Sequence, residues 1–232
     1  MHTAVLKKFS LAGHEVALYR EAEARALLLQ PVDVREKTLA EEIAGIRAAG
    51  VPFALAAFSV RDWNTELAPW DAPAVFGRAD FGHGAAATLA FVQQELLPKI
   101  REKQELASLP VILGGYSLAA LFSLWAATQT DTFAAVAAAS PSVWYPGWLV
   151  YARAHQPQSA KIYLSLGDRE AHTKNPVLAT VADCIRKQCA AYCAQLGEEN
   201  VTLVWNRGSH FEQVPTRTAA AFVWCLQELQ GE

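Results

Sequence analysis

The sequence has no uninterrupted apolar run of about 18 residues, the length that a membrane-spanning helix needs. Residues Met1 to Ser10 carry two lysines but no signal-like apolar stretch and no cleavage site, so a cytoplasmic protein is expected. Neither sign of charge is in real excess: 20 basic against 23 acidic residues leave −3. That excludes the electrostatic footprint of a nucleic-acid binder, or of a protein held to an acidic membrane surface. Cysteine is scarce. Of Cys184, Cys189, Cys193 and Cys225, the first three fall on one expected helix, and no Cys-x-x-Cys pair or nearby histidine completes a zinc set. They read as buried free thiols, and neither a metal nor an organic cofactor is expected. No internal repeat and no low-complexity linker divides the chain.

What is present is apolar sequence in quantity, 52% of 232 residues, enough for the core of one domain spanning 1–232. His14 to Arg20 and Arg25 to Gln30 read as strands, with the acidic Glu21-Ala22-Glu23 stretch turning a hairpin between them. Pro31 and Asp33 break the second. Thr38 to Ala49 has helical spacing, ended by Gly50, and Val51 to Val60 fits a strand buried on both faces. Further strands are expected at 111–115, 133–139, 161–166 and 201–205, and helices at 85–103, 117–128, 176–196 and 216–229. Alternation of this kind implies a mostly parallel sheet with helices on both faces. Ligands then sit beyond the carboxyl ends of the strands.

The stretch Val111-Ile112-Leu113-Gly114-Gly115-Tyr116-Ser117-Leu118-Ala119-Ala120 carries the clearest chemical signal. Gly115-x-Ser117-x-Ala119 matches the strand–nucleophile–helix elbow of α/β-hydrolases, with Ala119 in place of the usual last glycine. Small residues two before and two after the serine let strand and helix approach closely. The Leu118 N–H, opening the helix, would form half of an oxyanion hole. A serine hydroxyl needs a base, and the base needs an orienting acid. His210, in Arg207-Gly208-Ser209-His210-Phe211, follows the last strand and is the expected base. Gly167-Asp168-Arg169-Glu170 offers two carboxylates. The Gly-x-x-acid form selects Glu170 and leaves Asp168 to cap or turn the loop, though both remain candidates.

Two aromatic loops follow other strands. The stretch from Ser59 to Gly84 is long and rich in Trp, Pro and Gly, and Ser140 to Trp148 is the second. The other oxyanion donor is expected in the loop after the strand that ends at Phe58-Ser59-Val60, with no single residue marked for it, and Arg61, Asp62, Trp63 and Asn64 are the pocket residues that loop offers. Trp63, Trp70, Trp144, Tyr145 and Trp148 are candidate walls for an acyl site. His83, between two glycines, reads as a turn residue. Trp63, Asn64, Tyr116 and Trp144 are taken as substrate-binding.

Gly114-Gly115-Tyr116-Ser117-Leu118-Ala119-Ala120, Ser140-Pro141-Ser142-Val143-Trp144-Tyr145 and Asp62-Trp63-Asn64 through Pro69-Trp70 together resemble the esterase family that includes esterase D and the enterochelin (siderophore) esterases. The resemblance implies the α/β-hydrolase fold without a large cap domain, and a Ser–His–acid triad of Ser117, His210 and Glu170. It implies hydrolysis of a small-molecule carboxylic ester through an acyl-enzyme. Acyl transfer on the same triad, siderophore-type hydrolysis and a non-catalytic binding role on the same fold are the alternatives. The first 50 residues are short beside the added N-terminal domain of larger siderophore esterases, and Ala119 stands where many members of the family have glycine.

Overall fold

A computed structural model describes residues 5–231. Eight strands form one sheet in the order β1-β2-β4-β3-β5-β6-β7-β8. They are β1 (Val5–Leu11), β2 (His14–Arg20), β3 (Leu27–Asp33), β4 (Ala54–Val60), β5 (Val111–Tyr116), β6 (Ala135–Ala139), β7 (Lys161–Gly167) and β8 (Val201–Asn206). From β4 across to β8 every pairing is parallel, whereas β1 and β2 are antiparallel additions at one end.

Residues of adjacent parity separate to the two faces. Val111 and Leu113 of β5 join one core, and Ile112 joins the other. The first face is covered by α3 (Ala85–Phe91), a π turn (Val92–Leu96), α4 (Leu97–Arg101), α5 (Leu118–Gln129), α6 (Trp148–Ala154) and α7 (Val181–Leu196). The second face is covered by α1 (Leu39–Arg47) and α8 (Val214–Glu228). A short α2 (Trp63–Glu66) lies in the long loop after β4. The π turn has an identifiable cause. Pro98 lacks the N–H that the Gln94 carbonyl would accept, and widening the preceding turn accommodates its ring within the helix.

The hairpin expected between residues 20 and 25 does not form. β4 lies between β2 and β3, and the hairpin partner of β2 is β1, which periodicity alone does not announce. Pro31 does not end its strand. β3 pairs with β5 only as far as Leu29, so Pro31 stands where no ladder bond is asked of its nitrogen on that side. The thiols are also less buried than expected: Cys225 is buried, but Cys184, Cys189 and Cys193 are half-buried. Among the described residues no helix is long and apolar enough to cross a membrane.

Small residues set the separation between sheet and helices. A Cβ on Gly114 would lie 2.7 Å from the Phe222 ring, and one on Gly45 of α1 would lie 2.9 Å from the Ala219 methyl. The alanine strand β6 lets α8 lie close in the same way. Phe222, with no exposed surface, fills the space so created. Phe222→Ala should therefore cost about 3–5 kcal/mol, read as a lower urea midpoint at unchanged slope.

Candidate active site

β5 ends at Tyr116 and α5 begins at Leu118, so Ser117 alone makes the reversal. Its backbone sits at φ +60°, ψ −118°, a conformation that costs a non-glycine residue about 1–3 kcal/mol. The surroundings hold it there. Its N–H donates to the Ala139 carbonyl at 3.1 Å, and its own carbonyl accepts from Leu121 and Ser142, each at 3.1 Å. Gly115 permits the close approach, because a Cβ there would stand 2.7 Å from the Ala119 methyl. Leu118 opens α5, so its N–H has no intrahelical acceptor and lies beside the serine.

Ser117 Oγ lies 3.0 Å from His210 Nε2, and His210 Nδ1 lies 2.7 Å from Glu170 Oε2. With the Nδ1 proton held on the carboxylate, Nε2 of the neutral ring is left to accept from the serine. Ser142 Oγ stands 3.3 Å from Ser117 Oγ on the other side.

Glu170 is almost fully buried, at 3% side-chain exposure. Its Oε1 accepts from Ser140 Oγ at 2.8 Å, from the Gly167 N–H at 2.6 Å and from Arg217 Nη1 at 3.2 Å. Burial pushes this carboxyl up, but the hydrogen bond and charge of His210 outweigh that, together with Gly167 and Ser140, and hold it below its ordinary value. Gly167 has no side chain because a Cβ would meet Glu170 Oε1 at 2.9 Å and the Gly208 carbonyl at 2.3 Å. Asp168 does not line the cavity that opens on Ser117. It accepts from the Gly208 N–H at 2.8 Å and so fastens the Glu170 turn to the His210 turn.

Arg217 is a participant that the sequence reading missed. Its guanidinium is buried, and Nη1 donates to Tyr116 Oη at 3.1 Å and to the Ser209 carbonyl at 3.0 Å, besides Glu170. Nη2 donates to the Arg207 carbonyl at 3.0 Å. The signal was present: Arg217 occupies the inward stripe of α8 with Ala221, Phe222 and Cys225, where an unpaired charge would be costly. Ser140 and Ser142 were also missed as site residues, although the Ser-Pro-Ser run at the end of β6 was visible.

A cavity of about 710 Å³ opens on Ser117. Trp63, Asn64, Tyr116 and Trp144 all line it. The Tyr116 hydroxyl is occupied, donating to the His210 carbonyl at 2.7 Å. Trp70, Tyr145 and Trp148 do not line it. Trp70 Nε1 donates to the Pro146 carbonyl at 2.8 Å, Tyr145 donates to the Trp70 carbonyl at 2.6 Å, and Trp148 Nε1 donates to Gln188 at 2.7 Å. These three fasten the two aromatic loops to each other and to α7. Asp62 caps α2, and Arg61 bonds the Gly13 carbonyl, so neither lines the cavity. His83 pairs with Asp71 at 2.9 Å on the surface.

The expectation that the strand ending at Val60 lies beside β5 needs correction. The neighbour of β5 is β3, not β4, so the segment facing Ser117 follows Asp33 rather than Val60. Pro31, Val32 and Asp33 accordingly line the cavity.

A parallel sheet with a single-residue turn into a helix, and a histidine and an acid on later strand ends, makes the fold that of the α/β-hydrolases. The family model described as "Putative esterase" matches residues 44–204, and the chain belongs to that family of carboxylic ester hydrolases. Solved structures share the fold at low identity. An IroE-like serine hydrolase from Shewanella oneidensis is 12% identical with a TM-score of 0.75, covering 98% of this chain and 81% of its own. The siderophore hydrolase EstB from Aspergillus nidulans is 14% identical, TM-score 0.73, covering 97% and 95%. The enterobactin esterase FES from Shigella flexneri is 16% identical, TM-score 0.69, covering 97% of this chain but 60% of that one. No curated protein matches the sequence significantly.

Arg217→Met removes one partner of a buried ion pair and should destabilise the protein by about 3–5 kcal/mol in urea unfolding. Acid stability tests Glu170. A carboxyl held low in the folded state stabilises above its unfolded value of 4.5, and that stabilisation is lost as pH falls through the lower folded value. Glu170→Gln should therefore flatten the loss of stability below about pH 4.5.

Proposed function

We propose that Ser117, His210 and Glu170 act as the triad of an esterase that hydrolyses small carboxylic esters. One observation carries the reading: the continuous hydrogen-bonded path from Ser117 Oγ through His210 to Glu170, at 3.0 and 2.7 Å, beneath a cavity.

Ser117 Oγ attacks the ester carbonyl carbon while His210 Nε2 takes its proton. The oxyanion is met by the Leu118 N–H and by an N–H at the Asp33–Val34 end of β3. The N–H groups of Arg35 and Glu36 are used by Asp33. Collapse breaks the bond to the leaving alkoxide, which receives the proton from His210. Water then attacks the acyl-enzyme, His210 takes its proton, and the acid departs as Ser117 Oγ is reprotonated. Glu170 stays ionised throughout and stabilises the imidazolium, and Ser140, Gly167 and Arg217 hold it in position.

Trp63, Asn64, Tyr116 and Trp144 contact the substrate from the aromatic side. The substrate class follows from the family, and the siderophore hydrolases among the structural neighbours make a siderophore ester one member of it. Four unpaired cysteines fit a reducing cytoplasm.

Ser117→Ala should lower kcat for short p-nitrophenyl esters by at least about a thousand-fold without changing the far-ultraviolet circular dichroism. A fluorophosphonate should label the wild type, with the added mass mapping to Ser117. Hydrolysis that survives Ser117→Ala would sink the mechanism.

A further inference from the structure

The loop after β6 touches the triad at both ends. Ser140 Oγ donates to Glu170 Oε1 at 2.8 Å, and Ser142 Oγ stands 3.3 Å from Ser117 Oγ. The first contact belongs to the donors that hold the acid. The second has no part in the reaction above. Ser142 is 1% exposed and does not line the cavity, so its hydroxyl is shut off from bulk water. Among the described residues that hydroxyl has Ser117 Oγ as its only hydrogen-bond partner. An alanine would fill the same space, and a buried hydroxyl is costly unless it bonds.

The backbone keeps the two serines together. The Ser142 N–H donates to the Ser117 carbonyl at 3.1 Å, and the Ser142 carbonyl accepts from the Tyr145 N–H at 3.0 Å. Ser140 takes a left-handed φ of +43°, which residues other than glycine seldom adopt. With Pro141 between them, that turn brings the hydroxyls of Ser140 and Ser142 to opposite ends of the triad.

The direction of the contact follows from His210. The neutral ring accepts at Nε2, so Ser117 gives its proton there, and Ser142 is left to donate to a lone pair of Ser117 Oγ. How well that oxygen accepts changes along the reaction. In the resting enzyme it is a hydroxyl oxygen and accepts well. In the acyl-enzyme it is the alkyl oxygen of an ester, and its lone pair is delocalised into the carbonyl. In a tetrahedral intermediate the delocalisation is gone, and the oxygen gains charge as its bond to the acyl carbon breaks. The Ser142 bond is therefore weakest in the acyl-enzyme. An interaction stronger in the transition state than in the state before it speeds that step.

We infer that Ser142 is a catalytic residue for deacylation, donating to Ser117 Oγ as that oxygen leaves the acyl group. The inference rests on the esterase reading and assigns a step within it. Once water has added to the acyl carbon, the bond from that carbon to Ser117 Oγ breaks and its electron pair returns to Oγ. His210 Nε2 delivers the proton that it took from the water, and Ser142 keeps its own. Acylation gains less, because Oγ begins it as a hydroxyl that Ser142 already bonds.

p-Nitrophenyl trimethylacetate separates the two halves of the cycle. Its crowded carbonyl slows attack by water, so the acyl-enzyme accumulates. The acylation constant is read from the p-nitrophenol burst, and the deacylation constant from the loss of acyl mass after excess ester is removed. Both are first-order constants of the enzyme that reacts, so neither depends on how much of a preparation is folded. Ser142→Ala should lower the deacylation constant about fivefold more than it lowers the acylation constant, the worth of one neutral hydrogen bond. Ser142→Cys, a weaker donor, should shift the same ratio by less, and it stands in if the alanine variant does not fold. A serine that only shapes the loop would move both constants together or neither, and either result overturns the assignment. So does a larger loss in acylation than in deacylation. Fluorophosphonate labelling separates this from the reading beneath it. Wild-type protein that takes the label at Ser117, with no selective change in the variants, loses the Ser142 assignment alone. Wild-type protein that takes no label and forms no acyl-enzyme overturns the esterase reading itself.

Discussion

The structure depends most on keeping one buried carboxylate charged. Glu170 has left water almost completely, and an ionised carboxylate in that position is tolerable only with a full set of donors. They come from four different places: Ser140 after β6, Gly167 at the end of β7, His210 after β8, and Arg217 on α8. Three strand ends and the last helix are therefore fixed relative to one another by the requirements of a single side chain. The two oxygens divide the work. Oε1 takes the structural bonds, and Oε2 is left to His210. Arg217 extends the same logic outward, spending its other contacts on the carbonyls of Arg207 and Ser209, which shape the turn that presents the histidine.

The aromatic residues separate into two jobs. Trp63 and Trp144 face the cavity. Trp70, Tyr145 and Trp148 lie behind them in a stacked and edge-on cluster, each polar tip satisfied by a carbonyl or an amide. Long loops over a strand end would ordinarily be mobile. Here the rear layer gives them a small core of their own, so the front layer can present apolar surface without collapsing into the cavity.

What could be read from the sequence was local. Ser117 lay in a steric pattern of small residues around a single turn, and Glu170 and His210 each followed an apolar run in the chain order of the fold. The structure brings those three into hydrogen-bond range. The alternation of strands and helices also conveyed the parallel sheet. What could not be read was lateral order. Nothing in the residues of β2 and β3 says that β4 will pass between them, so the expected hairpin was wrong and the strand beside β5 was taken to be β4 rather than β3. Arg217 was overlooked for a related reason. It is a charged residue on the inward side of a helix, and its partners come from elements distant in sequence. The rear tryptophans resemble the front ones in composition, and only packing tells them apart.

Tyr116 is the last residue of β5 and Ser117 makes the turn that follows it. Both end on the same residue: the tyrosine hydroxyl on the His210 carbonyl, and the serine hydroxyl on the His210 ring. One peptide bond and two hydrogen bonds thus make a closed caliper, with the histidine gripped between its jaws. The spacing between Ser117 and the His210 ring is gauged against the chain immediately beside the serine, although the two residues lie 93 positions apart in sequence.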